Sequence, residues 1–415
     1  MLDTLFPIAS KRCMGLPLFG EVMEEFTDWL VQQDYARLHI RAMLRVARKM
    51  DRHLRRKGVH RIEEITTQSL GSYWLSLRRR IPWDAGTVRI MERFLRMRGV
   101  LNSCQMRTPT ALQLADYAAY LRDVRGLAPG TVSEQLRAAA QFLAHLDFDE
   151  ATRRLEAIGT DDIERFIRKI SKSLSRATLQ SRVSSVRNFL RFLAASGKVP
   201  PDLAEQIDSP RVYKHEKLPR TLPWKTVQAL LRSIPKNTTM GQRDYTTLFL
   251  MAMYGLRSCE VAALTLDDVD WRAGLIRIPQ SKTRNVLDLP LTDEAARVLI
   301  EYLRQVPRPN GYRNLFFRVR APIGALTRES LREIFQSRSR RSGLDIPFQG
   351  PHCLRHSYAV HLLRQGTALK TIGDLLGHQH PETTAGYLRL ATEDLREVGL
   401  SVPRTARQKG GRHEH

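Results

Sequence analysis

Residues 375–390 read LLGHQHPETTAGYLRL, with a histidine and a tyrosine on either side of a Pro-Glu-Thr-Thr turn. Pro381 marks the start of a short helical segment, because the first helical position needs no amide hydrogen. Gly386, just before Tyr387, gives the backbone extra freedom at that point. A tyrosine so placed either covers the edge of a core or does chemistry. The choice depends on what the rest of the chain brings to it.

The chain has 415 residues, enough for two or three domains, and 42% of them are apolar, enough for real cores. Lys plus Arg number 67 against 43 Asp plus Glu, a formal net charge of +24. Such an excess argues about partners, and nucleic acid leads, because each neutralised phosphate releases counterions. A membrane surface is the rival. No stretch approaches the ~20 apolar residues of a membrane span, and the first 20 residues lack a signal-peptide core. The expectation is a soluble, cytoplasmic, nucleoid-associated protein without membrane contact. Cys13, Cys104, Cys259 and Cys353 lie far apart with no C-x-x-C pair, so buried small hydrophobes fit better than a disulfide framework or zinc knuckle.

Working back from the tyrosine, the order of elements predicts a mainly α chain. In residues 19–58, FGEVMEEFTDWLVQQDYARLHIRAMLRVARKMDRHLRRKG, apolar positions recur every three or four residues, as one helix face requires. IEEITTQSLGSYWLSLRRR begins the next helix. A loose repeat follows. LADYAAYLRDVRGLAPGTVSEQLRAAAQFLAHL echoes the first segment, LEAIGTDDIERFIRKI echoes the second, and SRVSSVRNFLRFLAASGKV echoes TVRIMERFLRMRGVL. Two helical domains are expected, residues 1–103 and 104–200, with one long helical domain as the alternative. Residues 201–216 read as a Pro-rich, charged linker. From residue 217 to 392 helices return, interrupted by LIRI and VLDLPL, two β-rich runs around a polar turn that predict a hairpin. Thr292 is placed to cap the helix that follows. Residues 393–415 form a tail with one more amphipathic stretch, ATEDLREVGL.

Four stretches of the last part carry residues suited to one reaction: YGLRSCEVAAL with Arg257, PQSKTRNVLDLPL with Lys282, GPHCLRHSYAVHLL with His352 and Arg355, and the opening stretch with His378 and Tyr387. Taken singly, each has a structural explanation: a solvated arginine, a turn lysine, a helix-capping histidine, a satisfied loop histidine. In this order and with this dressing the sequence resembles the tyrosine recombinases of the phage-integrase family. That family's pattern is an arginine in G-[LM]-R-x-x-E-[LV], a hairpin lysine, H-x-x-R opening a helix, then L-G-H and, nine residues later, the tyrosine. Ser281-Lys282-Thr283 stands where many members have G-K-G.

The resemblance implies an α+β catalytic domain with a small antiparallel sheet, preceded by helical DNA-binding domains. It implies strand cleavage by Tyr387 through a 3′-phosphotyrosyl link, for integration, excision or transposition of a mobile element. A covalent intermediate keeps the phosphodiester energy, so neither ATP nor a metal cofactor is expected. Cations must then hold the pentacoordinate phosphate. Arg257 and Arg355 can do so through paired N–H groups, His378 adds a hydrogen bond, Lys282 is the general acid for the 5′ oxygen, and His352 assists Tyr387. Tyr358 is the rival nucleophile, expected to be buried. Glu260 is placed to orient Arg257, and His356 reads as structural. The histidines do not form a zinc motif, since their H-x-x-x-H lacks the glutamate of H-E-x-x-H.

The expected partner is double-stranded DNA, with a homodimer on one site, a tetramer in synapsis and other recombinases as further candidates. Arg176, Arg182 and Arg187, in FIRKISKSLSRATLQSRVSSVRNFLRFL, and Arg284, beside Lys282, are the candidate phosphate contacts. Residues 1–103 are assigned to extra arm-type DNA or to protein contacts, and the tail to exchange between protomers or to packing in cis. A type IB topoisomerase, a catalytically silent DNA-binding protein and a metal hydrolase are the rivals.

Overall fold

The three- and four-residue spacing becomes helices: α1 (Leu2–Leu5), α2 (Pro7–Met14), α3 (Met23–Gln32), α4 (Arg37–Arg56), α5 (Thr67–Leu77) and α6 (Pro82–Met97), followed by α7 (Pro109–Ala119), α8 (Pro129–His145), α9 (Thr160–Ser171) and α10 (Arg176–Ala195). The computed structural model describes residues 1–101, 108–149, 155–212, 219–280, 285–308, 311–378 and 380–388. Its contacts divide the chain into two compact units, one of residues 1–32 and 36–216, the other of residues 217–415 with residues 33–35.

In the first unit the loose repeat is visible as architecture. Helices α3–α6 and α7–α10 each make a set of four, and in each set a short 3-10 turn (Ile62–Glu64, Leu155–Ala157) leads into the third helix. Helices α3, α4 and α5 pack on α6, while α8 packs on α7 and α10. Phe26, Trp29 and Phe94 cluster in the first set; Tyr117, Phe189 and Phe192 do so in the second. The two expected helical domains thus lie within one compact unit. The start of the Pro-rich segment is part of its core: Leu203, Ala204 and Ile207 are buried. Arg187, on α10, donates Nη2 to the Ile207 carbonyl at 2.6 Å and to Ser209 Oγ at 2.9 Å.

The second unit contains α11 (Trp224–Arg232), α12 (Thr239–Met253), α13 (Ser258–Ala263), strands β1 (Val269–Asp270), β2 (Leu275–Pro279) and β3 (Val286–Pro290), then α14 (Asp293–Gln305), α15 (Arg328–Ser342), α16 (His352–Arg364), α17 (Leu369–Leu376) and α18 (Pro381–Ala385). The expected hairpin is antiparallel, in the order β1-β2-β3, with Ile276 opposite Leu289 and Ile278 opposite Leu287. Period-2 alternation puts Ile276, Ile278 and Leu289 into the core. Thr292 caps α14 as expected, accepting from Ala295 N at 3.3 Å.

Helix α12 is buried along most of its length and carries Asp244, whose two oxygens are taken by Arg243 Nε at 2.9 Å and Arg338 Nε at 2.8 Å. That buried pairing fastens α12 to α15, and removing one partner would strand a charge inside the unit. Helix α16 is the spine of the site. Its Ser357 Oγ accepts the Leu222 amide at 2.7 Å, and His361 stacks on Trp224 at 4.1 Å. Among the described residues no helix is long and apolar enough to cross a membrane.

Candidate active site

Tyr254-Gly255-Leu256-Arg257 turns from α12 into α13. Gly255 has φ +63°, a left-handed value that favours glycine, and a β-carbon there would sit 2.6 Å from Leu376 Cδ2 and 2.9 Å from Tyr358 Cδ1. The glycine therefore lets α16 and α17 close onto the turn. Arg257 then caps α13. Glu260, one turn on, accepts Arg257 N at 2.7 Å through Oε2 and Arg257 Nη1 at 2.6 Å through Oε1. Its carboxylate is buried and fixes the guanidinium, which remains about one-fifth exposed. The expectation that Glu260 orients Arg257 matches this geometry.

Arg355 lies in the first turn of α16 and is only 2% exposed. Nη1 donates to the Gly255 carbonyl at 2.7 Å and Nη2 to the Leu376 carbonyl at 2.6 Å. One guanidinium thus ties the Arg257 turn, α16 and the C-terminus of α17 together, and satisfies a carbonyl that the end of α17 leaves open. Burial, and next the nearby Arg257 cation, bring its pKa down to about 10. Of five N–H donors, the remaining ones can still face a ligand.

Helix α17 ends at Gly377, with φ +61°. A β-carbon on Gly377 would meet Gln280 Nε2 at 1.9 Å. The buried Gln280 follows directly on β2, so that end of the strand lies against Gly377. Lys282 and Arg284, two and four residues further, lie outside the described residues, as does the tail from 393.

His378 Nδ1 bonds Thr384 Oγ1 at 2.8 Å, and the Tyr387 amide bonds the Thr384 carbonyl at 3.0 Å. The buried Thr384 therefore sets the spacing between histidine and tyrosine. Pro381 opens α18 as expected. Gly386 has φ −57°, ordinary helical backbone, so its special freedom is not used in this arrangement.

Tyr387 is 3% exposed, packed with Ala359, Val360, Ile372 and Leu376. Its ring lies nearly parallel to His378, 6.3 Å between centroids. Its hydroxyl is hydrogen-bonded to His356 Nδ1 at 2.9 Å. Burial raises the phenol's pKa, while the Arg355 and Arg257 cations pull it down. The rival Tyr358 is half-buried against Gly255, its pKa raised by burial and by Tyr254. Only Tyr387 of the two is held in the field of both arginines.

His352 opens α16, its surface reaching solvent and its ring 4.4 Å from that of His356. Burial of the imidazole lowers its pKa, and the Arg355, Arg257 and Arg328 cations lower it further. His356 is pushed down to about 3 by burial, then by His352 and Arg355. The structure thus gathers Arg257, Arg355, His352, His378 and Tyr387, with His356 bonded to the tyrosine. The signal for His356 was its place next to Arg355, on the α16 face that meets Tyr387. Arg176 and Arg182 lie on α10 in the other unit, exposed and half-buried, alongside the internally bonded Arg187. Among the described residues no group of three or more His, Cys, Asp or Glu side chains is gathered for a metal.

Residues 220–394 match the phage integrase family, and residues 114–197 match the phage integrase N-terminal SAM-like domain. The putative integrase/recombinase y4rA of Sinorhizobium fredii is 31% identical over 384 residues, 91% of this chain and 93% of that protein. The tyrosine recombinase XerD of Listeria innocua is 30% identical across 68% of this chain and 95% of its own. In fold, the chain is similar to the XerH site-specific recombinase bound to palindromic difH substrate, with TM-score 0.57 and 20% identity over 72% of this chain and 86% of that one. The chain belongs to the phage integrase family of tyrosine recombinases, which are DNA strand-exchange enzymes.

Proposed function

We propose that this recombinase cuts and rejoins duplex DNA through Tyr387, acting in the integration, excision or transposition of a mobile element. The observation that carries the reading is the placement of the Tyr387 hydroxyl on His356, in the field of both Arg257 and Arg355. In the step, Tyr387 Oη forms a bond to phosphorus as the bond from phosphorus to the 5′ oxygen breaks. The phenol proton leaves through the imidazoles, and the 5′ oxygen takes a proton from Lys282, carried on the hairpin two residues beyond Gln280.

Arg257 and Arg355 hold the non-bridging oxygens with the N–H groups not committed to Glu260 or to the two carbonyls. One carboxylate against two guanidiniums leaves the site positive, as a phosphate requires. His378, fixed by Thr384, adds a donor to the same phosphate. His356, with a pKa near 3, stays neutral at physiological pH and orients the phenol, while neutral His352 beside it is the base. Residues 104–200 and 217–392 both contact the duplex, with Arg176 and Arg182 as phosphate contacts. The assembly on a site is a homodimer, joined in synapsis as a tetramer, with the tail exchanged between protomers and other recombinases as candidate partners.

The test is a nicked suicide substrate carrying the element's end, with wild type and Tyr387→Phe compared on a denaturing gel. An SDS-resistant adduct that forms in chelator and disappears in Tyr387→Phe is expected. An adduct that persists in the variant moves the nucleophile to Tyr358.

A further inference from the structure

Helix α4 lies before either segment that matches the family. It carries Arg37, Arg41, Arg45, Arg48, Arg52 and Arg55 at four- and three-residue steps, which places them along one face. The span from Arg37 to Arg55 is about 27 Å at 1.5 Å per residue. The opposite face, with Ile40, Met43, Leu44, Ala47, Met50 and Leu54, is buried. All of the six arginines are exposed except Arg48, which is half-buried.

Ordinarily a long surface helix spaces acids among its bases, because like charges one turn apart repel. Helix α4 has one acid, Asp51, and it is buried, accepting the Leu18 amide at 2.9 Å. Arg37 bonds the Leu5 carbonyl at 2.6 Å. Among the described residues, Arg41, Arg45, Arg52 and Arg55 have no hydrogen-bond or ion-pair partner. At the N-terminal end of the stripe, Arg12 from α2 joins Arg37, Arg41, Arg45 and Arg48 around an open cavity of about 390 Å³.

We infer that the arginine face of α4 is a second, sequence-independent binding surface for the phosphate backbone of duplex DNA, ahead of residues 114–197 and 220–394. A lipid surface does not fit, because the helix's apolar face is committed to the core. A row of guanidiniums with the residual apolar surface of one helix offers charge without a deep base-reading pocket, which is the chemistry of backbone contact. The inference rests on the reading of the chain as a DNA enzyme, but not on Tyr387.

The experiment uses the full chain in a Tyr387→Phe background, so an error about the nucleophile leaves it untouched. Binding to a 40-base-pair duplex of arbitrary sequence is measured from 0.05 to 0.3 M salt. For Arg41→Gln/Arg45→Gln/Arg52→Gln, the slope of log K against log salt should fall by up to about 2.7, with affinity about 100-fold weaker at 0.1 M salt. The Arg41→Lys/Arg45→Lys/Arg52→Lys chain should keep the slope. An unchanged slope in the glutamine variant overturns the inference. So does an unchanged slope together with lost retention on polyglutamate, which would assign the face to an acidic protein. If the glutamine variant fails to fold, the lysine variant decides: duplex should shield its three new lysines from acetylation, and their full reactivity in the presence of DNA overturns the inference.

Discussion

The arginines beside Tyr387 and those on α4 are the same residue type put to opposite uses. Arg355 is 2% exposed and hydrogen-bonded to two carbonyls, and Arg257 is clamped by Glu260. Their desolvation is offset by fixed partners, so their remaining donors point with little freedom, which is what stabilising a transition state demands. The arginines of α4 lie mostly in water, and four of them have no partner among the described residues. They retain rotamer freedom and act by number of charges, which is enough for affinity but not for catalysis. Position in the chain does not separate the two groups; burial and bonding do.

The strongest attack on this contrast is Arg355→Lys. The charge remains, but one ammonium cannot reproduce the planar bridge between the Gly255 and Leu376 carbonyls. Adduct formation at saturating DNA should drop about 10²–10³-fold, on the order of 3–4 kcal/mol, with DNA affinity little changed. A lysine chain cleaving at near wild-type rate would make Arg355 no different from the α4 arginines.

Glu260→Gln comes next, keeping the shape and removing the charge that aligns Arg257. The cleavage barrier should rise by about 1.5–3 kcal/mol, read as a lower adduct rate rather than weaker binding. Equal rates would mean that the carboxylate only caps α13.

Acidity separates the regions more gently. The folded pKa of His356, about 3, lies below its ordinary 6.5. Its neutral form therefore stabilises the fold fully above pH 6.5, and that contribution is lost as pH falls toward 3. The melting temperature should decline across that window, and less steeply in His356→Asn. The adduct rate should also fall as His352 protonates below pH 6.5.

Arg187→Gln is the smallest effect. Because Arg187 Nη2 is already given to the Ile207 carbonyl and Ser209, the variant should lose about 1 kcal/mol of stability and leave the salt dependence of DNA binding unchanged. A slope reduced by about 0.9 would return Arg187 to the phosphate contacts.

Much of this was legible in the chain. Thr292, the LIRI and VLDLPL runs and the helical spacing act within a few residues, so local rules found the cap, the hairpin and the helices. The motifs around Arg257, Arg355, His378 and Tyr387 carried the family. The contact of His356 with Tyr387 was not legible, because the two lie 31 residues apart and nothing near His356 in sequence announces that hydrogen bond. Arg187 looked like its neighbours for the same reason: its partners are carbonyls of a later segment, and a carbonyl has no letter in a sequence.

By itself, then, the sequence determined which side chains were available and in what order, because helical period, turn chemistry and charge are properties of neighbours. Only the tertiary structure decided which of them are committed. Gly255 lets α17 close on α12, Arg355 bridges the two, Gln280 seats the end of β2 against Gly377, and the arginines of α4 stay in solvent. Those outcomes depend on burial and on contacts across 100 or so residues, as between Arg355 and Gly255. Desolvation makes such contacts strong, and no local pattern records it.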